Sequence, residues 1–135
     1  MCNYIIIDNI LLDNLTAQAK ASPRLRMNYD LRTSAKDTSQ RMLNAIEPES
    51  VVPVHRHRKT SETMVVLRGS VVEEFYDDAG VCTERIEMSA GSDVCLLNIP
   101  AGTWHTLRSL ESGTVILEMK DGAFESIGEE DIVKF

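Results

Sequence analysis

The chain has 135 residues, 43% hydrophobic and 26% charged, which describes one soluble globular domain able to bury roughly two-thirds of its unfolded surface. No apolar run approaches the ~20 residues a membrane span needs, and a net charge of −7 argues against a nucleic-acid partner. Three cysteines, Cys2, Cys82 and Cys95, share no close spacing, so neither a disulfide framework nor a C-x-x-C zinc or redox motif is expected. The N-terminus lacks the basic start and small-residue cleavage site of a secretory signal, and together with free thiols this points to a cytoplasmic location.

In chain order, Tyr4–Ile7 is apolar and β-branched and reads as a short strand. Asp8 or Asn9 can then cap a helix whose apolar positions Leu11, Leu12, Leu15 and Ala19 follow helical spacing. Ser22-Pro23 stops it, because a residue before proline avoids the helical region. Residues 24–30 alternate as a strand does, 33–38 form a polar connection, and 41–46 read as a further strand. From Val51 onward the pattern is strand after strand. Runs at 62–68, 71–76, 81–88, 94–99, 105–110 and 114–119 are separated by turn residues such as Asp77-Asp78-Ala79-Gly80 and Ser112-Gly113. Short strands at this spacing predict an all-β sandwich or closed barrel. The expected division is an N-terminal extension (1–40; strand, helix, strand) packed on a barrel (41–122), followed by an acidic tail (123–135).

The chemistry is concentrated in two stretches. His55 and His57 are two residues apart, so on an extended strand both rings share a face, and Glu62 follows after a short turn. In the second stretch Pro100 and Gly102 set a turn that aims His105. The chain has three histidines, and all fall here. Imidazoles with a carboxylate suit one divalent transition metal, Zn, Fe, Mn or Ni, held at about 2.0–2.2 Å. Trp104 precedes His105 and should point the opposite way, into packing or the rim.

Charge is unevenly placed. Residues 20–68 carry ten of the fourteen Lys and Arg but five of the twenty-one acids. This is either a solvated surface or a positive rim that draws an anionic small molecule toward the metal. Arg56, Arg58 and Lys59 alternate with the histidines and should point away from the ion, which leaves Arg24, Arg26, Arg41 and Arg68 as candidate anion contacts.

The two stretches resemble the paired motifs of the cupin superfamily. His55, His57, Glu62 and Gly69 match the first, His-x-His, four residues, Glu, six residues, Gly. Pro100, Gly102 and His105 match the Pro-x-Gly-x-x-His that ends the second. Three turn positions depart from the pattern: Glu49 and Val94 stand where glycines are expected, and Ser109 where an asparagine is. The resemblance implies a single jelly-roll β-barrel with a strand-helix extension and a metal on His55, His57, Glu62 and His105. Length, the stretch from Gln40 to Pro48, and the ending Ile-Pro-Ala-Gly-x-Trp-His are most similar to small WbuC-type cupins, which accompany surface-polysaccharide (O-antigen) genes. That resemblance implies a metal-dependent protein that acts on, or binds, a small anionic sugar-like molecule. It leaves open an isomerase- or epimerase-like enzyme in which Glu62 is either a ligand or, if it lies just off the metal, the general base, a non-catalytic binding module, and a cupin dioxygenase. A homodimer is expected, built through the Tyr4–Ile7 strand.

Overall fold

The computed structural model describes residues 3–133. Helix α1 spans Asn9–Ala21, with the Asp8 side chain accepting from the Leu11 amide at 2.9 Å and Ser22 ending it in extended backbone. Its buried stripe, Leu12, Leu15 and Ala19, packs on Leu43, Ala45 and Val115. Each large apolar side chain so buried contributes about 1.5–3 kcal/mol, which holds the helix to the outside of the barrel.

Among the described residues ten strands follow: β1 Arg26–Asp30, β2 Ser39–Ile46, β3 Val54–His55, β4 Glu62–Arg68, β5 Ser70–Tyr76, β6 Cys82–Ser89, β7 Leu96–Ile99, β8 Trp104–Ser109, β9 Thr114–Asp121 and β10 Ile132–Val133. They form two five-stranded sheets, β1-β2-β9-β4-β7 and β10-β3-β8-β5-β6, with every pairing antiparallel. The strand spacing predicts such an all-β sandwich or barrel, and the two sheets match the jelly roll that the cupin resemblance implies.

Period-two alternation sorts the side chains. On β9, Val115 packs under the helix, whereas Ile116 joins Ile46, Met64, Val66, Val71 and Met88 in the barrel interior. The same inner face continues along the strands to Glu118 and Lys120 on β9, Glu62 on β4, and Gln40 and Asn44 on β2. The barrel is therefore apolar at one end and polar at the other. Gly69 joins β4 to β5 at φ 78°, and a Cβ there would lie 2.8 Å from Thr114 Cα, so this turn of the first motif requires glycine.

One expectation fails. Tyr4–Ile7 forms no strand: Tyr4, Ile5 and Ile6 are exposed, and Ile7 packs against the helix cluster. β-propensity needs a neighbouring edge to become a strand, and among the described residues none lies beside this segment. Cys82 and Cys95 are free thiols, and Cys2 lies outside the described residues. No helix among those residues is long and apolar enough to cross a membrane.

Candidate metal centre

Two sheet contacts assemble the site. β3 pairs with β8 so that His55 stands directly opposite His105. His57 lies just beyond β3, where its carbonyl accepts from the Gly102 amide at 2.7 Å. Gly102 has φ 83°, a left-handed conformation that glycine adopts without strain. The turn of the second motif is thus tied to the His pair of the first. The three ring centroids are 4.5 to 5.8 Å apart, and their ligand atoms all lie within 4.8 Å of one another. They form a three-histidine group able to hold a metal ion.

The tautomers are set by backbone. His55 Nδ1 is 2.8 Å from Pro53 O, and His105 Nδ1 is 2.8 Å from Thr103 O. A carbonyl only accepts, so each Nδ1 carries a proton and each Nε2 of the neutral ring presents a lone pair. Metal-ligating histidines are held in this way. Burial, with neighbouring His105, pushes the His55 imidazole down to about 4, so it is neutral at ordinary pH.

Glu62 comes from the start of β4. Its Oε2 lies 3.3 Å from His57 Nε2 and 3.4 Å from His105 Nε2. These are ion-pair distances only, since the oxygen is buried without a hydrogen-bond partner. Burial pushes this carboxyl up, and only where His105 and His57 carry a proton on Nε2, to donate to it, is it held below the usual carboxylate range. A bare Nε2 lone pair facing an ionised oxygen is repulsive unless a cation lies between them or the ring is protonated. The donor set therefore fits a divalent ion: the orphaned oxygen and the oriented lone pairs are what such an ion consumes.

The group opens on a cavity of about 880 Å³, within the range of small-molecule sites. One wall is the inner face of β1, β2, β9 and β4. The other is the C-terminal segment 121–131, a tail whose role was opaque in the sequence. It crosses the mouth as a strap and ends in β10, which pairs with β3 at Ile132↔His55. Asp131 fixes it, accepting from Arg56 Nε at 2.8 Å and Arg58 Nε at 2.7 Å. Trp104 does not line the cavity; its Nε1 donates to Asp78 Oδ1 at 3.0 Å and the Arg56 guanidinium lies 4.3 Å over its ring.

Of the four candidate anion contacts, Arg26 alone lines the cavity, with Nη1 donating to Val51 O at 2.9 Å. Arg41 turns to Leu31 O and Asp37, Arg68 to Asp13 and Asn9, and Arg24 is exposed. The sequence reading missed Gln40, Asn44, Glu118 and Lys120, which line the cavity opposite the imidazoles. Burial first, then the charge of Glu62, raises the Glu118 carboxyl. Their signal was the alternation along β2 and β9, which becomes readable once Ile46 and Ile116 are known to face inward.

A family described as a domain of unknown function (DUF6016) matches residues 7–88, a span that includes His55, His57 and Glu62 and ends before His105. No curated protein is similar in sequence. Among solved structures, KdgF from Halomonas sp. is similar at TM-score 0.59 and 15% identity, over 75% of this chain and 82% of that one. An oxalate oxidase in complex with glycolate is similar at TM-score 0.65 and 14% identity, over 81% of this chain and 57% of that one. An oxalate decarboxylase from Bacillus subtilis is similar at TM-score 0.54 and 21% identity, over 66% of this chain and 22% of that one. The chain thus spans little more than half of the oxidase and a fraction of the decarboxylase. These neighbours are cupins, and at such identities what is shared is the jelly-roll fold.

Proposed function

The chain belongs to the family described as domain of unknown function DUF6016, and on that premise we propose that it is a metal-dependent cupin that acts on a small anionic, sugar-like molecule. The observation that carries this reading is the convergence of His55, His57 and His105 with the orphaned oxygen of Glu62 at a polar cavity. We assign all four as ligands of one divalent ion, Zn, Fe, Mn or Ni. When bound, the ion supplies Lewis acidity toward a carbonyl or hydroxyl oxygen.

The chain's own groups do the rest. Pro53 and Thr103 carbonyls orient two imidazoles, and the strap narrows access for water. Glu62, ionised beside the imidazoles, is the group positioned to take a proton from a ligand hydroxyl if it leaves the ion. The resemblance to WbuC-type cupins favours a role in surface-polysaccharide metabolism, and the free thiols Cys82 and Cys95 favour the cytoplasm. In the same reading residues 1–40 are an extension on a barrel of 41–122, with 123–135 as a tail. The exposed Tyr4, Ile5 and Ile6 supply the contact of a homodimer.

The test measures metal content, ligand affinity and turnover side by side on wild type and Glu62→Gln, after a screen of sugar phosphates, sugar acids and nucleotide sugars. An enzyme should lose roughly 10²–10⁴-fold in turnover while keeping much of its metal. A ligand that binds without being turned over, and still binds the metal-saturated variant, would leave a non-catalytic binding module in its place. Zinc as the resident ion would remove a dioxygenase, which needs a redox-active metal.

A further inference from the structure

Lys120 is mostly buried, with 18% of its side chain exposed, and it lines the cavity. In β9 it is the register partner of Gln40 on one side and of Glu62 on the other. It therefore shares the inner face with the carboxylate of the metal centre, one strand away. The nearest anion is Glu118 Oε2 at 3.9 Å, beyond hydrogen-bond reach. Among the described residues its ammonium has no hydrogen-bonded acceptor. Its three donors face the solvent of the cavity, which is the direction from which a ligand's acceptor can come.

The other cations around the cavity are committed. Arg56 and Arg58 hold Asp131, Arg26 holds the Val51 carbonyl, and Lys59 reaches Glu125 at the surface with 76% of its side chain exposed. The local charge also limits what Lys120 can accept. Glu118 stands beside it and Glu62 is its cross-strand neighbour, so a dianion at Lys120 lies against two further carboxyl groups, a crowding that a monoanion lessens.

We propose that Lys120 anchors a carboxylate of the ligand, and that the ligands of this cavity are monoanionic hydroxy acids of the sugar-acid type. Their carboxylate rests on Lys120, and a neighbouring oxygen faces the imidazoles. This deepens the metal-cupin reading and rests on it. Lys120 is here a binding residue, with no bond made or broken at it.

The experiment is calorimetric titration of metal-loaded protein with glucuronate, glucose and glucose 6-phosphate, on wild type and Lys120→Met, with metal per chain measured on both. Glucuronate should bind tightest of the three to wild type. Lys120→Met should weaken it by roughly 10- to 100-fold, as loss of a charge-assisted hydrogen bond does, while keeping the wild-type metal content. A second readout avoids reliance on that variant. After reductive ¹³C-methylation, the Lys120 signal, identified by its absence from Lys120→Arg, should shift with glucuronate and stay in place with glucose. Unchanged glucuronate affinity in Lys120→Met, glucose or the phosphate binding as well as glucuronate, no glucuronate binding at all, or an unmoved Lys120 signal would each overturn the proposal. Wild-type protein that cannot be loaded with metal would sink the underlying reading, and this one with it; metal content separates that failure from the rest.

Discussion

His55 and His105 use the same device on neighbouring strands. They are cross-strand partners joining β3 to β8, and in each the ring Nδ1 faces the carbonyl two residues earlier at 2.8 Å. One short pairing therefore presents two imidazoles as matched donors, and His57 completes the three-histidine group.

Metal content follows directly. Protein as isolated should carry close to one divalent ion per chain, and His57→Ala should lose most of it, because two imidazoles cannot replace the lost donor at the ~2.1 Å an ion requires. Mass spectrometry of metal in native protein measures this. Stoichiometric metal in a triple His55, His57, His105 alanine variant would end the assignment.

His55 makes its own contribution to the response to acid. Its folded imidazole titrates near 4, mainly because it is buried, whereas in the unfolded chain it titrates near ~6.5. Below that upper value the unfolded state binds the extra proton, so metal-free protein loses stability as pH falls from about 6.5 to about 4 and no further from this group. Protons also compete with the ion at the remaining ligands, so metal occupancy should fall across the same interval. Denaturant melts and metal analysis at stepped pH should show both losses; occupancy flat down to about pH 4 would contradict a histidine site.

Glu73 behaves in the opposite sense. It is fully buried on β5 between Leu107 and Ile86, and neither oxygen has a hydrogen-bond partner. Burial, then Glu62, Glu118 and Glu74, push its carboxyl up to about 9. Between the ordinary carboxylate range and that value the folded state keeps a proton the unfolded state has lost, so stability declines as pH rises. Glu73→Gln has no such proton, and it should become the more stable protein by at least about 1 kcal/mol at pH ~9. Urea melts of both proteins at neutral and alkaline pH decide it: parallel pH profiles would show that Glu73 is not the titrating group.

The strap depends on one carboxylate. Arg56 and Arg58 both bond Asp131 and hold its pKa below the usual range. Asp131→Asn loses the charge on which both guanidiniums converge, so amides of 122–133 should exchange with deuterium several-fold faster, and metal should leave faster to a chelator. Unchanged exchange across that segment would mean that β10 pairing alone holds it.

Assembly turns on the N-terminal segment. Tyr4, Ile5 and Ile6 expose 58–72% of their surface, a concentration of apolar surface that marks a contact site. Light scattering at micromolar concentration should give a dimer mass, and deletion of residues 1–7 should shift it toward monomer. A monomer in both cases removes the idea.

Much of the candidate site was legible because its histidines sit at fixed spacings: two residues apart where β3 ends, and three beyond a Gly that a left-handed turn requires. The helix was legible too, from Asp8 at one end and Pro23 at the other. The opposite wall was not. Whether Lys120 and Glu118 or Met119 and Leu117 face the cavity depends on a one-residue phase, fixed by packing of Val115 under a distant helix. The strap was hidden for a related reason, since β10 has two residues and its pairing with β3 spans most of the chain. Tyr4–Ile7 shows the converse: strand-forming residues with no edge to join.

Trp104 is the one tryptophan in the chain, next in sequence to His105 and stacked under Arg56. The metal centre therefore carries its own fluorophore, and every photon of tryptophan emission originates beside it. An open-shell ion such as Fe, Mn or Ni at His105 quenches that emission, whereas closed-shell zinc leaves it bright. Loading, identity and loss of the ion can thus be followed by eye of a fluorimeter, in unlabelled protein and in real time.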